Sequence, residues 1–250
     1  MPTDAAFYFY AIPAVLIVGL AKGGFSGMGA LGMPMLALAI DPVRAAGILL
    51  PILIAQDVVG VAAFRKSWDG HVLAVMLPSA VIGVVLGWWF AASVSSRAVL
   101  IAVGAISIVF GLYRLWAESG GRIAAPSNSP AWVGTLFGVA TGFTSQIAHA
   151  GGPPFQMWVM PRRLPRDVLI GTTAIFFAAL NWIKVPAYVA LGQFTWPNML
   201  TTLTLLPFAL IGSLAGVLLV RRIAMDRFYT LIYLLMVLAG AKLLWDGIAA

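Results

Sequence analysis

Apolar residues fill this chain in long runs, separated by short charged or Gly/Pro-rich punctuation. The runs occupy residues 7–22, 27–40, 45–64, 72–94 and 98–116. After a polar stretch, Ala117 to Pro130, they resume at 131–144, 147–160, 168–192, 200–220 and 228–245. Most are long enough to cross a hydrocarbon core, which predicts an all-α, polytopic membrane fold of roughly eight to ten segments. The scheme is five segments against five. It divides the chain into a first transmembrane repeat (1–116), a cytoplasmic linker (117–130) and a second repeat (131–250).

The letters repeat as well as the pattern. Residues 77–116 align without gaps to 206–245, pairing Leu77/Leu206, Pro78/Pro207, Ala80/Ala209, Ile82/Ile211, Gly83/Gly212, Gly87/Gly216, Gly111/Gly240, Leu115/Leu244 and Trp116/Trp245. Apolar composition alone yields some Leu and Ala coincidences, but not a Pro and three Gly pairs in one register. Cation placement then orients the halves, since short cytoplasmic loops carry the Lys/Arg excess. Loops 161–167 and 221–227 each hold three arginines, and 65–71 holds Arg65 and Lys66, so these are expected inside; 41–44, 95–97 and 193–199 are poor in cations and are expected outside. Equivalent loops therefore fall on opposite sides, which makes the repeats inverted and puts both termini outside the cytoplasm. Inversion needs an odd number of crossings per half, and it follows if the first two segments of each half form one hairpin. The first hairpin, 7–40, spans only ~51 Å at ~1.5 Å per residue, too short for two crossings of a core ~30 Å thick.

Composition narrows the class. The chain is 62% hydrophobic and 9% charged, with a mean hydropathy of +0.99, so its solvent is lipid and no sizeable soluble domain is left over. The net charge of +7 would suggest nucleic acid in a soluble protein, but here the cations sit in loops and read as topology signals; no nucleic-acid partner is expected. Cysteine is absent, which removes disulfides and thiolate metal or redox sites, and no metal or cofactor is expected. The N-terminal MPTDAAFYFY lacks a basic region, which argues against a cleaved signal peptide. Trp68, Trp88, Trp89, Trp116, Trp132, Trp158, Trp196 and Trp245 lie near segment ends, as interfacial anchors do.

Candidate chemistry concentrates in two Gly/Pro-rich breaks, Gly19 to Pro34 and Gly138 to Pro154. Unwound backbone survives at membrane depth only where protein or a wet cavity satisfies it, and freed N–H groups at a helix start can receive an anion. The alternative is close helix packing through small residues. Lys22, within the first break, could neutralise an oxyanion or snorkel to the surface. Lys184, with Asn181 one turn away, is a second cation inside an apolar run. Gln56 and Asp57 occupy the equivalent helix of the first half, where Asp57 could pair with a lysine, bind a coupling cation or relay a proton. His149 could likewise relay protons or hydrogen-bond freed backbone. Gly23, Gly24, Gly27, Gly151 and Gly152 supply the nests, and Ser26, Thr144, Ser145 and Gln146 supply polar donors suited to oxyanion oxygens. Hydroxyls in helices also bond their own backbone.

The paired breaks, with their Gly-Phe-Ser (24–26) and Gly-Phe-Thr (142–144) cores and prolines at their ends, resemble the TauE/SafE family of sulfite and organosulfonate exporters over nearly the whole chain. The resemblance implies an inner-membrane permease for a small sulfur-containing anion such as sulfite or sulfoacetate. The residues themselves suggest a secondary transporter in which two midplane breaks and the lysines hold an anion while the repeats rock. With no nucleotide-binding motif, coupling would use an ion gradient, the membrane potential or the substrate gradient. The alternatives are a small-anion channel lined by the same residues, or a permease taking up a different small organic anion. An enzyme is not expected, since HExxH, GxSxG and Cys/His clusters are all missing from the sequence. The expected partners are the anion, the bilayer and a coupling ion such as a proton; an oligomer is possible but not indicated.

Overall fold

A computed structural model describes residues 5–24, 28–120, 129–219 and 226–249, of which the helices are α1 (Ala5–Lys22), α2 (Gly32–Ala37), α3 (Pro42–Phe64), α4 (Gly70–Ser93), α5 (Ser96–Glu118), α6 (Ala131–Ala148), α7 (Gly152–Val159), α8 (Arg166–Ala190), α9 (Trp196–Leu219) and α10 (Asp226–Ala249). One 3₁₀ turn, Met28–Leu31, leads into α2 and another, Met160–Arg162, extends α7. Several starts are written locally. Asp41 accepts from the amides of Val43 and Arg44, both at 3.0 Å, ahead of Pro42 at the first turn. Asp69 caps α4 through Val72 N at 2.9 Å, and Ser95 caps α5 through Ala98 N at 3.3 Å.

Among the described residues, seven helices are long and apolar enough to cross a membrane: α1, α3, α4, α5, α8, α9 and the Thr230–Ala249 part of α10. The chain is a multi-pass, all-helical membrane protein. Its outward faces agree: Ile82, Val85, Ile211, Leu214, Leu218 and Leu238 are exposed where a soluble protein would place charges. Trp89, Trp116, Trp132, Trp196 and Trp245 are exposed too, but Trp158 is fully buried, with the Arg162 guanidinium 3.7 Å from its ring centroid.

Both hairpins are unequal. Met28–Ala37 is ten residues and Gly152–Arg162 eleven, so at ~1.5 Å per residue each second limb covers only about half of a ~30 Å core. The second break is tighter than its composition predicts. Helix α6 runs unbroken to Ala148, and only His149 to Gly151 leave the helical path before α7 starts.

Gly138 and Gly142, expected in the unwound region, instead lie where α6 crosses α4. A Cβ on Gly142 would meet the backbone of Ala80, and one on Gly138 the Ser79 hydroxyl and Met76 carbonyl. The other crossing uses the other half's glycines. On α1, a Cβ at Gly23 would come within 2.5 Å of Gly216 Cα and one at Gly19 within 2.6 Å of the Ala209 carbonyl, so α1 lies directly on α9. Each half's first helix thus packs on the third long helix of the other half, while α5 packs on α10 and α3 on α8.

Candidate functional site

The ends of α1 and α6 converge with the midsections of α3 and α8 around a cavity. Its space for the centres of water-sized groups is about 90 Å³, enough for several waters and hence for one small oxyanion. Lys22, Gly24, Ser145, His149, Gly152, Asn181 and Lys184 line it, with Gln156, Thr173 and Phe177. Much of the rest of the wall is apolar, including Val18, Met33, Leu49, Leu53 and Ile170.

On one side, the Lys22 ammonium donates to Asp57 Oδ1 at 2.5 Å, and Asn181 Nδ2 donates to Asp57 Oδ2 at 2.6 Å. The carboxylate is 4% exposed and both its oxygens are engaged, which is what a buried charge requires. Lys22 also lies 5.4 Å from the centroid of the Phe177 ring.

Lys184 is fully buried and has different company. Its ammonium donates to the Ser145 carbonyl at 3.3 Å, to Ser145 Oγ at 3.2 Å and to His149 Nδ1 at 2.9 Å. Among the described residues no carboxylate pairs with it. His149 Nε2 lies 3.0 Å from the Ala46 carbonyl, which can only accept, so the proton sits on Nε2 and Nδ1 is free to accept from Lys184. Tyr188 stacks on the His149 ring at 5.9 Å between centroids and donates to the Gln146 carbonyl at 2.8 Å.

The local chain path produces this arrangement. His149 ends α6 in the left-handed region with φ 49°, and the amides of His149 and Ala150 turn back to the carbonyls of Ser145 and Thr144. That reversal carries the imidazole into the cavity wall and aims the start of α7 at it. A Cβ on Gly152 would meet nothing within 4 Å. Pro153 and Pro154 have no N–H, so the nest at the start of α7 is limited to the amides of Gly151 and Gly152.

The other candidates lie elsewhere. Gln56 donates to the carbonyls of Val15 and Ala209, both at 3.1 Å, and so ties α3 to α1 and α9. Gln146 is buried against Gly87 of α4, with neither side-chain polar atom hydrogen-bonded. Thr144 bonds back to the Ala140 carbonyl at 2.8 Å. Gly23 serves the α1–α9 contact, and a Cβ on Gly151 would meet Thr141 O and Ser145 Cβ at 2.9 Å. Ser26 and Gly27 lie outside the described residues.

The sequence pattern does not single out Gln156, Thr173, Phe177 or Tyr188. Gln156 carries a signal, being a polar residue in the short limb, and Arg114 of α5 donates to its Oε1 at 3.2 Å. Phe177 and Tyr188 carry none, because aromatic residues in an apolar helix are ordinary.

The family model described as Sulfite exporter TauE/SafE matches residues 11–243, nearly the whole chain. No curated protein matches it.

Proposed function

We propose, on the premise that the chain belongs to the sulfite exporter TauE/SafE family, that it is a secondary transporter holding one small oxyanion in the cavity between Lys22 and Lys184. Members of this family are membrane transporters of sulfite or other small anions, not enzymes. One observation carries the assignment of the site: Lys184, fully buried on the cavity wall, is bonded, among the described residues, only to neutral groups. An ammonium deep in a membrane protein is costly without a counter-charge, and a bound anion supplies one. Lys22, the Asn181 amide, Gln156 and the α7 amides complete a set of donors suited to an oxyanion.

The remaining parts of the mechanism follow from the same arrangement. The two halves are inverted repeats with outside termini in the cell inner membrane, and the paired crossings α1–α9 and α4–α6 are what exchange of the halves about a two-fold axis would give. Rocking of one half against the other exposes the cavity alternately to each face. Export of an anion from an inside-negative cell is driven by the potential, and Asp57 and His149 are the groups through which a proton could be coupled.

The test is thermal shift of the purified protein, at pH 7, against sulfite, sulfate, methanesulfonate, thiosulfate and small carboxylates, repeated with Lys184→Met. At least one sulfur oxyanion stabilises the wild type, and the variant loses that shift. If no anion shifts the wild type, or the variant keeps the shift, the site is wrong.

A further inference from the structure

The charge pattern of the cavity carries specificity beyond anion binding itself, and it rests on the anion site assigned above.

Among the described residues, two ammonium groups, Lys22 and Lys184, line the cavity, and one carboxylate, Asp57, stands behind the wall, paired with Lys22 and bonded by Asn181. Arg114 stands behind Gln156 and bonds to Tyr233, off the cavity wall. The carboxylate is fully committed: Lys22 holds one oxygen and Asn181 the other. With an anion bound, two positive charges therefore face Asp57 and the substrate together. A monoanion brings the loaded cavity to neutrality. A dianion leaves a net negative charge in a site walled by Val18, Met33, Leu49, Leu53, Ile170 and Phe177, where little can solvate it.

We propose that Asp57 is the residue that sets substrate valence: by occupying one of the two cations it limits the cavity to anions of a single charge, preferably carrying an apolar substituent for the apolar wall. Among sulfur oxyanions the accepted forms are a monoalkyl sulfonate or the hydrogen-bearing monoanion of sulfite, and sulfate is excluded. Asp57 thus determines specificity without donating to the substrate.

Methanesulfonate and sulfate test this because they share a tetrahedral sulfur and differ by one methyl for one oxygen and by one charge. Dissociation constants from thermal shift at pH 7 are measured for wild type, Asp57→Asn and Lys184→Met. The wild type binds methanesulfonate at least about tenfold tighter than sulfate. In Asp57→Asn, which keeps an acceptor for Lys22 but removes the charge, sulfate gains at least about tenfold and the preference narrows or reverses. If sulfate binds the wild type as tightly as methanesulfonate, or if folded Asp57→Asn keeps the wild-type ranking, the valence rule falls. Should Asp57→Asn not fold, the wild-type ranking alone decides. If both anions bind equally and Lys184→Met abolishes both, the anion site stands and only the valence rule is lost; if neither binds, the valence rule falls, and the anion site stands or falls with the sulfite, thiosulfate and carboxylate arms of the test above.

Discussion

The two hairpin limbs that end at the cavity occupy equivalent places in the chain, yet they end differently. The α1 limb ends in a charged residue, Lys22, whose charge is matched at 2.5 Å by Asp57 from α3. The α6 limb ends in His149, a neutral acceptor that turns toward Lys184 of α8, and among the described residues no acid pairs with that cation. Two similar hairpins therefore carry one closed electrostatic pair and one open one. Their likeness gives geometry; their difference gives a place for a negative charge. On this reading the Lys22 side is charge-balanced without substrate, and the Lys184 side is balanced only by it.

That division can be broken most forcefully at the closed pair. Asp57→Ala leaves the Lys22 ammonium without its partner and should lower stability by about 3 kcal/mol or more, read as denaturant or thermal midpoint in detergent. Lys184→Met removes a cation that has no acid, so its stability should stay within about 1 kcal/mol of wild type. Equal losses in the two variants would end the distinction.

A smaller effect sharpens the common frame. Gly23→Val and Gly142→Val each drive a side chain into a backbone across one of the two helix crossings, and each should cost about 1–3 kcal/mol. Similar losses in both support equivalence of the crossings; a large loss in only one contradicts it. The smallest expected change is at Thr144, whose hydroxyl is satisfied within its own helix. Thr144→Val should shift stability by less than about 1 kcal/mol and leave anion affinity unaltered, as titration by thermal shift will show.

The helical, membrane-spanning character and the short hairpins were legible because apolar runs and their lengths are properties of contiguous sequence. So were the charged members of the site: Lys22, Asp57 and Lys184 stand out against apolar neighbours. Gln56 and Thr144 stand out equally, yet the Gln56 amide nitrogen and the Thr144 hydroxyl bind backbone carbonyls. Polarity within an apolar run shows that a group needs a partner, not which partner it has. Glycine is ambiguous in the same way. Gly138 and Gly142 suit an unwound strand of chain and a tight helix crossing alike, and only the approach of α4 decides between them. The cavity wall formed by Phe177, Met33 and Leu53 comes from separate helices, and nothing local marks those residues as neighbours.

The crossing of α1 on α9 has a consequence for biogenesis. Ribosomal synthesis delivers α1 first and α9 nearly last, so the glycine face of α1 waits in the bilayer, unmatched, while most of the chain is inserted. Neither half can complete its own packing, because each keeps its first helix for the other. The α4–α6 crossing can close once α6 is made, whereas the α1 seam waits for α9, and a chain that stops before α9 is left with that seam open.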